Sequence, residues 1–342
     1  MEEYLSTLSS ASCVSGREGA REIMLENIRV LSPDAYIDRL GSIIAPIAPT
    51  PAGGEHLIID AHLDEIGFVV TSIDDSGFLK VGKVGGPDLR ILLGHEVTVF
   101  GRKPLFGVFC CRPPHLTSGE DYKKAPGIDE LAIDIGYSKE QASSLVSPGD
   151  FVTLRREPCR LLNDTLTGKA FDNRAGVAAV LLALDLLDGR TPGIGLTVIF
   201  SISEELGERG AKTAAFGTDP TQAIVVDTSF AYTPDAPREK CGVLGKGPMI
   251  GVSPVLSGDI TAKLFELAKE NDIPCQTEVM GGGTGTNSDV ISVSRSGVPT
   301  ALVSIPLRYM HTANEIISNV DIEYTGRLLC AYIQSAGGVG NV

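Results

Sequence analysis

The amino-acid sequence predicts an α/β protein whose sheet carries helices on both faces and whose chain is interrupted by a small all-β, barrel-like insertion. After about residue 165, apolar strand-like runs alternate with segments of helical period. Between about 66 and 160, short β-like runs alternate with turns that contain glycine and proline. We therefore expect a discontinuous α/β domain formed by residues 1–65 and 161–342, with residues 66–160 as a β-barrel insertion.

The elements can be assigned in chain order. The stretch SGREGAREIMLENIRVLS has a helical period with Ser15 as its expected N-cap, and AYIDRLGSIIAPI is typical of a strand pair. HLIIDAHLDEIGFVV is predicted to be one strand that continues past a polar centre. The insertion follows as the runs GFLKVGKV, HEVTVFG, PLFGVFCC, LAIDIG and DFVTL. The rest of the α/β part supplies DNRAGVAAVLLALDLLDG, GLTVIFSIS, GERGAKTAAFG, QAIVVD, ITAKLFELAKENDI, SDVISVSRSG, PTALVSI and the final helix VDIEYTGRLLCAYIQSA.

Composition argues against several classes of function. The 342 residues are 43% hydrophobic, which suffices for a sizeable core, and the formal net charge is −14. No cluster of lysine and arginine offers the basic face that nucleic acid requires, so we expect no nucleic-acid partner. The polar start MEEYLSTLSS does not resemble a signal peptide, and no apolar run is long enough to span a bilayer. We therefore expect a soluble, cytoplasmic protein with no membrane partner.

Four places near predicted strand ends or loop starts carry single candidate ligands. His62 and Asp64 are two residues apart on a strand and share one face, and a histidine that binds a metal commonly gives its other ring N–H to a carboxylate. Asp172 lies where a loop enters a helix, so a helix N-cap is the simpler interpretation. Asp227 ends an apolar strand, where a turn residue is the default. His311 follows a strand, where a partly buried histidine is the default.

A fifth place carries two adjacent acids, Glu204 and Glu205, directly after the apolar run GLTVIF. Neighbouring carboxylates are costly unless a cation or a shared proton compensates their charge. A metal ion would supply that charge, and one glutamate could then bind the ion while the other activates a water molecule. A solvated acidic loop is the alternative interpretation.

Considered together, these residues favour a pair of zinc-like ions. Two histidines and three carboxylates form a suitable ligand mix, in which one carboxylate can bridge both ions. One glutamate is then left as a general base. The set comprises His62, Asp172, the Glu204–Glu205 pair, Asp227 and His311.

Five motifs resemble, in order and spacing, those of the cobalt- or zinc-dependent aminopeptidases of the glutamyl and tetrahedral (TET) aminopeptidase family. They are AHLDEIGF, GKAFDNRAG, EELGERGA, VVD at 225–227, and RYMH. The insertion stretches FGVFCCRPPHL and IDIGYSKEQASSLVSPGD are also similar to that family. The resemblance covers nearly the whole chain and implies a zinc-peptidase-like mixed sheet with an all-β insertion that is used in oligomer assembly.

The resemblance also implies a role for each candidate residue. Glu204 would be the general base, and Asp64 would orient His62 from behind. The activity implied is the metal-dependent removal of N-terminal residues from short peptides, through a water activated by two metals. Each subunit would hold two divalent ions, zinc or cobalt. His62 and Asp227 would bind the first ion, and Glu205 and His311 would bind the second. Asp172 would bridge both ions.

The resemblance also bears on the oligomeric state and on the substrate preference. The resemblance implies a homo-oligomer, a hollow tetrahedral dodecamer with its active sites facing inward. The segments GGGTGTNSDV and TSFAYTPDAPREK differ from the family's usual form, so no preference for a particular N-terminal residue is predicted.

Two other functions are carried as alternatives. A glycoside hydrolase would use two carboxylates as acid and base, but it would need neither histidine, and its acids stand about 5 Å or more apart across the scissile bond. A non-catalytic binding or assembly protein on the same scaffold is the second alternative. The presence of every expected ligand and of the expected base argues against it.

Overall fold

The computed structural model describes residues 2–17, 19–117, 119, 124–234 and 236–337. Within these residues the chain forms an 11-stranded mixed sheet and a separate closed barrel of six strands. The predicted α/β fold with an all-β insertion is therefore confirmed. The assignment of residues 1–65, 66–160 and 161–342 to two domains stays a prediction.

The large sheet is built mostly from the second half of the chain. Its strands are β1 (Tyr36–Ile37), β2 (Ile43–Ala48), β3 (His56–His62), β10 (Cys159–Arg160), β11 (Thr165–Gly168), β12 (Gly195–Ser201), β13 (Gln222–Phe230), β14 (Met249–Val252), β15 (Gln276–Val279), β16 (Thr300–Arg308) and β17 (Glu315–Ser318). Their order is β1-β2-β12-β3-β13-β16-β17-β11-β10, with β14 also pairing β16 and β15 pairing β14. Strands β12, β3, β13 and β16 run parallel at the centre.

The helices lie on both faces of this sheet. They are α1 (Glu2–Ser10), α2 (Gly19–Arg29), α4 (Phe171–Leu186), α5 (Arg209–Thr218), α6 (Gly258–Glu270), α7 (Ser288–Ile291) and α8 (Asn319–Gly337). The remaining α-helix of the described residues, α3 (Lys139–Leu145), packs against the barrel described below. Alternate residues of β3 separate the two faces: Leu57 and Ile59 join a core with α4 and α8, whereas Ile58 joins a core with α5. The helices on both faces explain why every residue of β12 is buried.

The barrel is formed by β4 (Gly67–Ile73), β5 (Leu79–Val84), β6 (Glu96–Phe100), β7 (Pro104–Cys110), β8 (Ala132–Asp134) and β9 (Phe151–Leu154). It closes in the order β4-β5-β8-β7-β6-β9 around its own apolar core, in which Phe68 packs edge-on against Phe109. The barrel therefore has a core distinct from the core of the large sheet.

Three details differ from the sequence prediction. The segment HLIIDAHLDEIGFVV forms two strands in different sheets, because β3 ends at His62 and β4 starts the barrel at Gly67. Helix α1 was not anticipated from the polar start of the chain. The Ser15 hydroxyl donates to Asp64 at 2.5 Å, so it serves a buried carboxylate where the sequence predicted a helix cap. Among the helices of the described residues, none is both long and apolar enough to cross a membrane.

Candidate metal centre

The predicted site residues converge at the carboxyl ends of the central parallel strands. His62 is the last residue of β3 and pairs in register with Ser201, the last residue of β12. Asp227 lies in β13, the neighbour of β3 on its other side. Because parallel strands end at the same edge of a sheet, side chains from distant parts of the chain meet there.

Two groups of donor atoms form at this edge and share one residue, Asp172. In the first group, His62 Nε2 lies 3.2 Å from Asp172 Oδ1 and 3.7 Å from Asp227 Oδ1. In the second group, His311 Nε2 lies 3.4 Å from Asp172 Oδ2 and 3.3 Å from Glu205 Oε1. The donor atoms within each group lie within 4.8 Å of one another. Asp172 thus presents one oxygen to each group.

The chemistry of these donors fits a pair of divalent ions. Each group offers one imidazole nitrogen and two carboxylate oxygens, a mix that zinc and similar ions accept. Asp172 and Asp227 are both buried, and the described residues that line the adjoining cavity include no lysine or arginine. Divalent ions would supply the positive charge that this concentration of acids lacks.

The ionisation of the acids reflects their burial and their mutual repulsion. Burial raises the pKa of Glu204 to about 8, with further increases from the charges of Glu205 and Asp172. Burial also raises the pKa of Glu205, and it raises that of Asp227 well above its ordinary value. For Asp172, hydrogen bonds with His311 and His62 outweigh burial and lower the pKa.

The same acids raise the pKa values of the two histidines. Burial alone would lower the pKa of His62, but its hydrogen bonds with Asp172 and Asp64 raise it well above the usual value. Hydrogen bonds with Asp172 and Glu205 likewise outweigh burial at His311 and raise its pKa to about 11. In the absence of bound ions, the two imidazolium groups balance part of the negative charge.

The Asp64 carboxylate connects several elements beneath the site. It accepts the Ser15 hydroxyl, the backbone N–H of Glu204 at 3.1 Å and that of Glu205 at 3.3 Å. His62 Nδ1 lies 3.1 Å from the Asp64 carbonyl oxygen and 3.6 Å from its carboxylate. Because a carbonyl oxygen only accepts, His62 donates through Nδ1, which leaves Nε2 facing the other acids.

The adjacent glutamates turn in different directions within one site. After β12 the backbone becomes irregular, with φ of 57° at Ser203. Glu204 lines the cavity, whereas Glu205 lies against His311. The sequence alone left two interpretations of this pair open, a solvated acidic loop and a metal site. The packing of the two side chains places both in the site.

The barrel contributes to the second donor group, which sequence analysis missed. Gly86, just after β5, accepts a hydrogen bond from His311 Nδ1 at 3.0 Å and so directs Nε2 of that ring toward Asp172. A Cβ atom on the preceding Gly85, where φ is +72°, would lie 2.7 Å from Glu205 Oε2. Only glycine therefore fits at that turn, and the adjacent GG pair in KVGGPD is the available sequence signal.

Glu315 is a second residue that sequence analysis missed. Its Oε2 accepts the backbone N–H of Phe171 at 2.7 Å and that of Asp172 at 3.2 Å, while Oε1 accepts that of His311 at 3.1 Å. The side chain is buried, which raises its pKa well above the ordinary value. One carboxylate thus holds together the backbones that carry the shared acid and the second histidine. Its position four residues after His311 is the only signal in the sequence.

A cavity of about 330 Å³ opens beside the two groups. The first group lines it together with Glu204 and His311. Residues Thr284–Thr286 of the glycine-rich segment form part of the opposite wall, with the backbone N–H of Thr284 bonded to Asp289. The arrangement places a potential proton acceptor and two candidate cation sites around a space that a small substrate can enter.

Several known proteins are similar to nearly the full length of this chain. A family model described as M42 glutamyl aminopeptidase matches residues 41–328. The chain is 30% identical to a lysyl aminopeptidase of Pyrococcus furiosus over 338 residues, which covers 97% of this chain and 96% of that protein. An aminopeptidase structure from the archaeon Desulfurococcus kamchatkensis gives a TM-score of 0.91 at 31% identity, covering 99% of this chain and 97% of the other. The TET1 peptidase of Pyrococcus horikoshii, described as able to assemble into a tetrahedron or a large octahedral shell, gives a TM-score of 0.82 at 33% identity, covering 97% and 98%.

Proposed function

This chain belongs to the M42 glutamyl aminopeptidase family, and we propose that it is a dinuclear metallo-aminopeptidase that removes N-terminal residues from short peptides. One observation supports this proposal above the others. Asp172 directs its two oxygens to two separate groups, each with its own histidine and its own further carboxylate. A carboxylate in that position is suited to bridge two ions.

Two divalent ions, zinc or cobalt, are the proposed cofactors. His62 and Asp227 would hold the first ion, Glu205 and His311 the second, and Asp172 would bridge them. When bound, the ions would supply Lewis acidity, which polarises the scissile carbonyl and makes the attacking water more acidic.

Glu204 is the proposed general base. Its carboxylate lines the cavity, and burial raises its pKa in the ion-free site to about 8, which shows that its surroundings favour uptake of a proton. Glu204 takes a proton from the attacking water and later delivers that proton to the leaving amine nitrogen. Glu205, its neighbour, faces His311 and so is the better candidate for a metal ligand.

Asp64 is the proposed positioning residue. It holds the backbone N–H groups of both glutamates and thereby fixes where the strand exit places the two side chains. Its carbonyl oxygen fixes the orientation of the His62 ring. Asp64 therefore acts through its neighbours and does not need to contact the substrate.

The proposed assembly is a homo-oligomer in the form of a tetrahedral dodecamer, with residues 66–160 as the oligomerisation domain. The similarity to a peptidase described as forming a tetrahedron supports it. We place the enzyme in the cytoplasm, with short peptides as substrates and neither nucleic acid nor membrane as partner, on the composition argued above.

A glycoside hydrolase and a non-catalytic scaffold are less well supported by this geometry. Glycoside hydrolysis leaves His62 and His311 without a purpose, although each lies within 3.4 Å of a carboxylate oxygen. A scaffold without activity has no need for a buried base beside a cavity.

The test is an activity assay on metal-stripped protein with zinc or cobalt added back. A panel of aminoacyl-p-nitroanilides and short peptides is incubated with each form, and a peptide with a blocked N-terminus serves as the control. The proposal expects metal-dependent release of single residues from free N-termini only. Absence of release with every metal would reject the proposal, and a chelator-insensitive glucanase activity would favour the glycosidase.

A further inference from the structure

The cavity beside the candidate metal centre is also lined by an acid that belongs to neither donor group. Glu278, on β15, lines this cavity together with hydroxyl groups of Ser229, Thr284, Thr286 and Ser304. Among the described lining residues there is no lysine or arginine that could neutralise it. An acidic side chain with no cationic partner among these lining residues therefore faces the space beside the donor groups.

The carboxylate of Glu278 is held in a defined orientation by two hydroxyl groups. The Ser304 hydroxyl donates to Oε2 at 2.7 Å, and the Ser229 hydroxyl donates to Oε1. Each oxygen keeps an unused lone pair, because a carboxylate offers about four acceptor sites. A cationic group that enters the cavity can use these without displacing either serine.

The position of Glu278 relative to the reacting centre follows from the strand register. Ser304 on β16 is the direct partner of Asp227 on β13, and Ser229 follows Asp227 by two residues on the same strand. Residues two apart on a strand share a face and lie about 7 Å from each other. The two serines that hold Glu278 are thus close neighbours of Asp227 on this face of the sheet, which places the Glu278 carboxylate beside the first donor group.

Part of the cavity lining is apolar. Leu302, Met310 and Phe230 line the same cavity. Apolar surface and an acid in one cavity match a side chain with a methylene stem and a cationic tip. An acidic side chain would meet a like charge there, and a short apolar one would leave the acid unused.

We propose that Glu278 is a specificity-determining residue that selects peptides whose N-terminal residue is lysine or arginine. This inference rests on the proposed aminopeptidase function. The acid would bind the ammonium or guanidinium group of the first side chain, while the metal centre holds the peptide bond that follows it.

The test compares lysyl- with norleucyl-p-nitroanilide, because norleucine has a similar straight stem without the charge. For the wild-type enzyme loaded with zinc or cobalt, kcat/KM for the lysyl substrate should exceed that for the norleucyl substrate by about tenfold to a hundredfold, the usual range for a hydrogen bond to a charged group. A glutamyl substrate should be the poorest of the three.

The variant Glu278→Gln keeps the size of the side chain and removes its charge. We expect the preference for lysyl over norleucyl to fall by about tenfold or more, because kcat/KM falls further for the lysyl substrate than for the norleucyl one. Glu270→Gln, on the exposed end of α6, removes the same charge far from the cavity and should keep the wild-type preference. Glu278→Lys should improve the glutamyl substrate relative to the lysyl one.

The possible outcomes distinguish this inference from the function on which it rests. If the wild type releases no residue from any substrate, the aminopeptidase proposal itself fails. If it is active but Glu278→Gln retains the lysyl preference, or if no such preference exists, the assignment of Glu278 is wrong while the function stands. If Glu278→Gln slows lysyl and norleucyl substrates equally, Glu278 recognises the α-ammonium group, which also overturns selection by the side chain.

Discussion

Gly85 in the barrel packs so tightly against Glu205 after strand β12 that a Cβ atom on Gly85 would lie 2.7 Å from Glu205 Oε2. The insertion therefore shapes the second donor group directly, although every candidate ligand lies outside it. The neighbouring carbonyl of Gly86, which accepts from His311 Nδ1 at 3.0 Å, reinforces this contact. The barrel and the large sheet together complete the site.

The substitution Gly85→Ala should weaken metal binding at the second group by about 10- to 100-fold, because the added methyl displaces Glu205. Gly94→Ala is a matched control, since Gly94 also has a positive φ of 79° in the barrel but has no atom within 4 Å of its Cβ position. Both variants incur backbone strain from the positive φ, and Gly85→Ala should lose more stability because its Cβ atom would also lie 2.9 Å from Ile66 Cγ2. Metal content after dialysis against buffered free zinc measures the difference, and equal metal loss in the two variants would refute the steric explanation.

Substitution of Glu204 and of Glu205 should have different effects on metal content and on kcat. Glu204→Gln is expected to retain both ions and to lower kcat by about 10²- to 10⁴-fold, because only the proton acceptor is removed. Glu205→Gln is expected to lose an ion as well as activity. Elemental analysis together with steady-state kinetics checks both. Loss of metal in Glu204→Gln, with retention in Glu205→Gln, would reverse the two assignments.

Glu315→Gln should disturb the site without touching substrate. Glutamine replaces one acceptor oxygen by an NH₂ group that faces backbone donors, so at least one of the N–H groups of Phe171, Asp172 and His311 loses its partner. We expect weaker metal binding and a free energy of unfolding lower by about 1–3 kcal/mol. Glu323→Gln, at an exposed position of α8, is the control. Unchanged metal affinity in Glu315→Gln would show that this carboxylate does not position the ligands.

Metal binding should release protons. The pKa of His311 is raised to about 11, so at pH 7.5 both nitrogens of that ring carry a proton before ions bind, and the pKa of His62 is raised in the same direction. A ligating Nε2 must lose that proton, and metal affinity should therefore increase with pH from neutrality upward until the folded-state pKa values are passed. Calorimetric titration in buffers of different ionisation enthalpy measures the number released. His311→Ala should release fewer protons, and identical heats in every buffer would contradict the prediction.

A buried ion pair next to the site should matter for stability. Lys169 Nζ lies 2.7 Å from Glu65 Oε2, and both side chains are buried. Lys169→Met should lower the free energy of unfolding by about 3 kcal/mol, because Glu65 is left buried without its closest cation. The exposed pair of Lys263 and Glu266 has a similar separation of 2.8 Å, and Lys263→Met should change stability little. Chemical denaturation of both variants provides the comparison, and equal losses would show that burial is not the cause.

The sequence was informative where chemistry is local. The apolar runs that precede His62, Glu204 and Asp227 predict buried strands, and polar residues at the ends of such strands predict a shared edge. Short-range periodicity likewise predicts the alternation of helix and strand in the α/β part and the series of short strands in the insertion. These signals were sufficient for the fold class and for the convergence of the candidate ligands.

Long-range contacts account for what the sequence could not predict. Glu315 binds backbone N–H groups, and Gly86 offers a carbonyl, so neither leaves a pattern of side-chain types. The break between β3 and β4 was missed because both halves of HLIIDAHLDEIGFVV favour strand and no glycine or proline separates His62 from Glu65. Only tertiary packing decides that the second half joins a different sheet. The acid at Glu278 became informative only once Ser229 and Ser304 were seen to hold it beside the cavity.

The distribution of the donor groups along the chain also determines when the protein can first act during its synthesis. The first group lacks Asp227 until strand β13 has left the ribosome, and the second lacks His311 until strand β16 has followed it. Strand β16 inserts between β13 and β17, so the nascent chain cannot complete the sheet edge before nearly all residues have been translated. A growing polypeptide is thus without both complete donor groups for most of its time on the ribosome, and a truncated translation product that stops before β16 would lack the histidine of the second group.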